Sequence, residues 1–414
     1  MKARALIPVT LPRDSPTVSY WQDPPDGIAH FRSTPKLPES ADVVIVGSGI
    51  SGACIAYYIL SRSPAANVII LEARQACSGA SGRNAAVGIE EAVKIARLEY
   101  DNIKQVHAFA REHGISCESR ELETVDIIYD QTVWDESVRT IDQMRKAMGE
   151  DDPVSKYTLW NSKDAEERFL CKGAVGAITY EAGSISAYKF VIGVLKLCLE
   201  KGANLQTGTP VTAITLVSGD GDESRWIIST PRGKLLASKT IIATNGYTAA
   251  IYPKLQGRIV PVKGQITAQR PGANIPRDGL PRTYSFVYSG GYDYMIPKPE
   301  GSKFAGDIVM GGGFTKGEDK GLSQYGTTDD TTVALEISEY LTSSTKKFFG
   351  DNWGQDDPEG RVRREWSGIM GYSTDGFPWV GEIPGEPGLY ISASFQGHGN
   401  TLSTPLILPL PLIY

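Results

Sequence analysis

Histidine is scarce in this chain of 414 residues, with four copies, and cysteine is little commoner, with five. Cys54, Cys77, Cys117, Cys171 and Cys198 are scattered, odd in number and never spaced C-x-x-C. That excludes a dense disulfide framework and favours a reducing compartment. The histidines are equally dispersed, so no metal site is expected. An excess of positive charge is also missing. A net charge of −6 gives no reason to expect nucleic acid or a membrane surface as partner. The opening MKARALIPVTLPRDSPTVSY has no signal-peptide core, and its prolines suggest an extended arm. The closing TLSTPLILPLPLIY is apolar but too short to span a bilayer, is broken by Pro405, Pro409 and Pro411, and ends in no peroxisomal tripeptide. Cytoplasmic is the expected location. The length suggests two domains or one discontinuous one, and 41% apolar with 22% charged residues is ordinary for a globular protein.

What is present is organised around Ala41 to Glu72. The apolar run Val43 to Val46 reads as a strand buried on both faces. Gly47, Gly49 and Gly52 follow at G-x-G-x-x-G spacing, then an apolar helix from Ile50 to Leu60 stops at Ser63-Pro64. A second strand, Val68 to Leu71, ends on Glu72, 20 residues after Gly52. The first glycine serves the tight turn, the second the approach of a pyrophosphate, the third the packing of helix on strand. The helix start offers free N–H groups to phosphate, and Glu72 stands where an acid accepts ribose hydroxyls. A lone glycine motif also occurs in turns that bind nothing. The strand, helix, second strand and terminal Glu together favour a dinucleotide site, FAD or a nicotinamide.

Further along, the pattern predicts helices over Ile89–Glu112, a stretch ending at Met148, Ser162–Phe169 and Ser186–Leu199. TVDIIYD (124–130) reads as a strand. Strands at 204–207, 211–217, 226–229 and 239–244 read as a small meander returning to the parent sheet, ending in ATNGY where open α/β sheets bind ligands. From Ile259 to Phe314 strands alternate with turns and no helix, as in a second mixed or antiparallel sheet. Thr331 to Phe349 reads as a helix stopped by Gly350.

The pieces VVIVGSGISGA, LEARQACSGASGRN, ATNGY, PVKGQ, YDYMIPKP, GGGF, GYSTDGFPWVGEIPG and LYISASFQGHG occur in that order. In this the chain resembles the FAD-dependent oxidoreductases of the D-amino-acid-oxidase/sarcosine-oxidase superfamily, in particular the gamma-glutamylputrescine-oxidoreductase-like group of filamentous fungi. The resemblance runs from about Tyr20 to Gly399 and implies FAD rather than a nicotinamide. It implies an α/β fold: a Rossmann-like FAD-binding domain (41–100, 174–250 and 361–414) behind an arm (1–40), with an α+β substrate domain (101–173 and 251–360) on a mixed or antiparallel sheet. It assigns the pyrophosphate to Gly47, Gly49 and Gly52, the ribose to Glu72, and the diphosphate and ribityl chain to Ser78, Ser81, Arg83 and Asn84. Val211 would meet the adenine, Asn245 and Gly246 would lie near the diphosphate, and Gly397, His398 and Gly399 beside the flavin ring. With no cysteine in WSGIMGYST, the FAD is expected to be non-covalent. Two departures stand out. Asn84 runs almost directly into the helix at Ile89, where relatives carry a His and aromatics, and Pro405 stops the helix that relatives extend after G-H-G.

The implied reaction oxidises the C–N bond of a small amine or amino acid by hydride transfer to flavin, followed by imine hydrolysis, with oxygen as the expected acceptor and peroxide as product. Only the neutral amine reacts, and an apolar aromatic pocket disfavours the ammonium. Tyr288, Tyr292, Tyr294 and Trp366 are the candidate walls, although tyrosines alternating on a strand are more often cross-strand packing partners. Lys263 is a candidate for a substrate carboxylate, against a solvated strand lysine. No residue is assigned as catalytic acid or base. Two other readings follow from the residues: a family remnant that binds nucleotide without turnover, and a nicotinamide dehydrogenase.

Overall fold

The computed structural model describes residues 1–77, 89–217, 225–276 and 279–397. In chain order its longer elements are β1 (Ser40–Val46), α1 (Ile50–Arg62), β2 (Val68–Leu71), α2 (Ile89–Glu112), β3 (Arg120–Ile128), α3 (Gln131–Met148), β4 (Thr158–Asn161), α4 (Ser162–Phe169), β5 (Gly176–Ser184), α5 (Ala187–Glu200) and β6 (Asn204–Gln206). Then come β7 (Ala213–Val217), β8 (Arg225–Thr230), β9 (Gly233–Ile242), β10 (Ile259–Gln269), β11 (Thr283–Tyr288), β12 (Gly291–Pro297), β13 (Ile308–Gly311), α6 (Leu335–Phe349), β14 (Val362–Ser373), β15 (Trp379–Glu382) and β16 (Leu389–Ala393).

The first sheet has the order β15-β16-β9-β1-β2-β6, with β8 and β7 continuing from β9. β1 pairs in parallel with β2 on one side and β9 on the other, so the chain reverses its direction of travel at β1. Period-two alternation explains why these strands are apolar throughout. Val43, Ile45, Val68 and Ile70 face α1 and α5, while Val44, Val46, Ile69 and Leu71 face Trp226, Ile228, Leu235 and Tyr252. Both faces are covered, and the carboxyl ends of the strands are left to meet a ligand.

The second sheet has the order β14-β10-β13-β12-β11-β3-β5-β4; β3 and β11 run parallel and the other pairs antiparallel. One face packs on α6 and α4 through Phe286, Met310, Leu341 and Phe349, with the Phe286 and Phe348 rings stacked 4.0 Å apart. β5 and β14, from spans assigned to the cofactor-binding domain, hydrogen-bond to β3 and β10 of the second sheet. α6 begins at Leu335 rather than Thr331, because Asp329 Oδ1 turns the chain at Thr331 and Gln265 Oε1 accepts the Ala334 N–H at 2.8 Å, fixing the helix start. Among the described residues no helix is long and apolar enough to cross a membrane, and no cluster of His, Cys, Asp and Glu could hold a metal.

Candidate functional site

The three glycines do three different things. Gly47 has φ +108°, and a Cβ there would come within 2.6 Å of the Ala243 carbonyl at the end of β9. Gly52 lies so close to the turn that a Cβ would sit 2.0 Å from the Gly47 carbonyl oxygen. A Cβ on Gly49, in contrast, would meet nothing within 4 Å. Gly49 is the N-cap of α1 and has no side chain to bond the first N–H groups of the helix. The helix therefore opens, uncapped, onto free space, which is the arrangement an anionic diphosphate needs.

Glu72, only 8% exposed, braces this turn. Its Oε2 accepts from Ser48 N (3.0 Å) and Ser48 Oγ (2.7 Å), and its Oε1 from Arg74 N (3.0 Å). A carboxylate has about four acceptor positions, so one is left for a ribose hydroxyl. Arg74, the second residue after Glu72, forms a buried ion pair with Asp330 at 2.9 Å, and Asp330 also accepts from Tyr247 Oη at 3.3 Å. These contacts tie the ends of β2 and β9 to the loop leading into α6. Cys77 also lines the space, but burial and the nearby Glu72 push its thiol up to about 12, so it is a neutral thiol.

All this borders one cavity of about 670 Å³, within the range of small-ligand sites. At one end are Gly47, Gly49, Glu72, Val211, Asn245 and Gly397. At the other lies the front face of the second sheet: Tyr292, Tyr294, Ile266, Val309 and Trp366. Gly246 is not on the wall. It lets β14 close against the turn after β9, where a Cβ would meet the Met370 carbonyl at 2.4 Å, while Asn245 Oδ1 accepts the Ser394 N–H at 2.9 Å. Tyr288 is also off the wall: its hydroxyl bonds Asp293 Oδ1 at 3.2 Å. Lys263 also lines the cavity, 9% exposed, with Nζ 3.4 Å from Thr332 Oγ1. Burial holds its pKa below the usual lysine range against the pull of Asp329 and Asp330. Ser78, Ser81, Arg83, Asn84, His398 and Gly399 lie outside the described residues, as do the two departures that adjoin them.

Two contributors were not foreseen. The N-terminal arm is a third wall, with Leu11, Pro16, Thr17, Trp21 and Gln22 on the cavity. It is pinned by Thr17 Oγ1 accepting from Ser367 N (2.9 Å) and by Tyr20 donating to Asp307 (2.9 Å) and stacking on Trp366. Asp293, fully buried, accepts from Gly313 N (2.7 Å) and Tyr340 Oη (2.6 Å). It thereby fixes the GGGF turn that brings Phe314 to the wall. An alternating strand pattern signals neither.

The family model for FAD-dependent oxidoreductases (DAO) matches residues 42–406. The chain belongs to this family. FAD is accordingly its cofactor, and the nicotinamide reading falls. Glycine oxidase of Geobacillus kaustophilus is 25% identical over 379 residues, covering 87% of this chain and 89% of that protein. "Probable oxidoreductase OrdL" of Rhizobium meliloti is 24% identical over 415 residues, covering 92% and 87%. In fold, the chain is similar to the crystal structure of the Geobacillus kaustophilus glycine oxidase (TM-score 0.69, 21% identity, 89% and 92% covered) and to the L-amino acid deaminase from Proteus vulgaris (TM-score 0.69, 17% identity, 93% and 99% covered). The uncapped start of α1, the space kept open at Gly49 and the remaining acceptor position on Glu72 fit the ADP half of FAD.

Proposed function

We propose that this oxidoreductase acts on the C–N bond of a small amine or amino acid, giving an imine that water hydrolyses, with oxygen as terminal acceptor and peroxide as product. The observation that carries this reading is one continuous cavity lined by both the glycine turn and the aromatic face of the second sheet. Bound FAD supplies the hydride acceptor. The chain supplies the rest. The N–H groups at the start of α1, with Glu72, hold the nucleotide end. Tyr292, Tyr294, Ile266, Val309 and Trp366 form a face with few charges, which disfavours an ammonium and so favours the neutral, reactive amine. Lys263, which lines the cavity from the opposite face of β10, suits a carboxylate, which would bias the site toward amino acids. The unit around the first sheet would then carry cofactor and the unit around the second sheet substrate. Relatives named glycine oxidase and L-amino acid deaminase support this class of substrate.

The test is to mix the FAD-loaded protein with a panel of amines and amino acids without oxygen and follow the visible flavin band. Bleaching by at least one member, with peroxide formed when air is admitted, is the expected result. FAD that stays oxidised with every amine yet bleaches with dithionite would overturn the reading and favour a family remnant that binds without turnover.

A further inference from the structure

The front face of the second sheet continues past the cavity. Tyr294, Ile296 and Ile185 line the main cavity and also a second chamber of about 270 Å³. The roof of this chamber is Ile103, Val106 and His107 of α2, and its floor is Thr283 and Ser285 of β11 and Thr124 of β3, with Gly183 and Ser184 of β5 beyond. Ser285 stands opposite Tyr294 and Thr283 opposite Thr124 in the ladder, so these side chains share one face. Neighbouring strands are about 4.8 Å apart, so the floor runs roughly 10 Å from β12 to β3.

The chemistry of the chamber differs from that of the main cavity. Besides the tyrosines Tyr284 and Tyr294, its polar side chains are Thr124, Ser184, Thr283, Ser285 and His107. Among the described residues no Asp, Glu, Lys or Arg lines it. Asp126, nearby, is already bonded by Ser285 and by Tyr180 Oη (3.2 Å). His107 is 2% exposed, with Nδ1 2.6 Å from Ser119 Oγ, and burial pushes its pKa down, so it faces the chamber as a neutral ring. Room for that ring exists only because residue 183 is glycine: a Cβ would lie 2.1 Å from His107 Nε2. An ion entering this space would give up its water with no charged side chain on the wall to meet it, since the nearest carboxylate, Asp126, lies behind Ser285 and is already bonded. A neutral group able to donate and accept hydrogen bonds would find partners on three sides.

We propose that this chamber receives the distal end of the substrate, an uncharged amide- or hydroxyl-bearing tail up to about 10 Å long, entering past Tyr294, Ile296 and Ile185. The proposal rests on the reading of the main cavity as the oxidation site, and it makes the substrate longer than glycine. The experiment uses the FAD-loaded full chain and four probes that share an amino-acid head: glycine, norleucine, lysine and Nε-acetyl-lysine. Anaerobic rates and half-saturating concentrations of flavin bleaching are measured for each. Nε-acetyl-lysine is expected to outperform lysine and glycine by about tenfold or more, the value of one well-made hydrogen bond to a group that would otherwise be left without a partner. Ser285→Phe fills the floor and should abolish that preference. Gly183→Ala, which displaces His107, should weaken it, and bound FAD content shows that each variant has folded. Lysine matching Nε-acetyl-lysine, norleucine surpassing it, or both variants keeping the wild-type order would overturn the chamber while leaving the oxidation reading intact. Bleaching by no amine at all would overturn both.

Discussion

Gly49→Val separates cofactor binding from folding. The backbone at Gly49 has φ −68° and ψ −175°, which an L-residue adopts without strain, and a Cβ there meets no protein atom within 4 Å. Valine is a poorer N-cap than glycine, so the fold should lose no more than about 1 kcal/mol. The branched side chain would nonetheless stand where a diphosphate approaches the N–H groups of Ile50 and Ser51, both on the cavity wall. Hydrogen bonds to a charged group contribute about 1.5–3 kcal/mol each, so losing two weakens FAD by roughly 3–6 kcal/mol, or about 10²- to 10⁴-fold in Kd. The assay is a titration of apoprotein with FAD, followed by flavin fluorescence, beside urea unfolding of the same apoprotein. A Kd within about threefold of the wild type, at unchanged stability, would refute the placement of the diphosphate at the start of α1.

Other substitutions probe the scaffold. Gly52→Val drives a Cβ to 2.0 Å from the Gly47 carbonyl, so unlike Gly49→Val it should destabilise the apoprotein itself, by about 3 kcal/mol or more, read in the same urea melts. Asp330→Asn removes the charge paired with buried Arg74 and should cost about 3–5 kcal/mol, seen as a lower urea midpoint at unchanged slope; a shift under about 1 kcal/mol would show the pair to be dispensable. Asp126 gives a pH signature. Burial raises its carboxyl from 3.8 to about 6, so between these values the folded state holds a proton that the unfolded state has lost. Stability from this group is full below pH 4 and falls as pH rises through 6, by on the order of 2–3 kcal/mol. Asp126→Asn should flatten that slope in unfolding measured from pH 4 to 7, and an unaltered slope would count against the assignment.

The glycine turn and its flanking strands were legible because their signals are local. Val43–Val46 and Val68–Leu71 are short and apolar on both faces, as parallel strands under helices must be, and the glycines between them are fixed by one turn. The remainder depends on distant contacts. β5 (GAITYEAGS) has no clean apolar alternation to mark it, and its penultimate residue, Gly183, leaves the space that His107 of α2 occupies. Tyr288 looks like a member of the series with Tyr292 and Tyr294, yet a hairpin separates them. Val287 stands opposite Tyr292 in the ladder, so Tyr288 falls on the other face, toward Asp293. The proline-rich arm has no periodicity, and its place on the cavity rests on Tyr20 meeting Asp307 and Thr17 meeting Ser367, partners hundreds of residues away.

The most direct test of a shared cavity is a crystal structure of the chain with FAD. The account predicts the diphosphate at the first turn of α1, the adenosine ribose at Glu72, and the flavin ring facing Tyr292, Tyr294 and Trp366. A flavin ring turned away from that aromatic face, toward solvent, would contradict it.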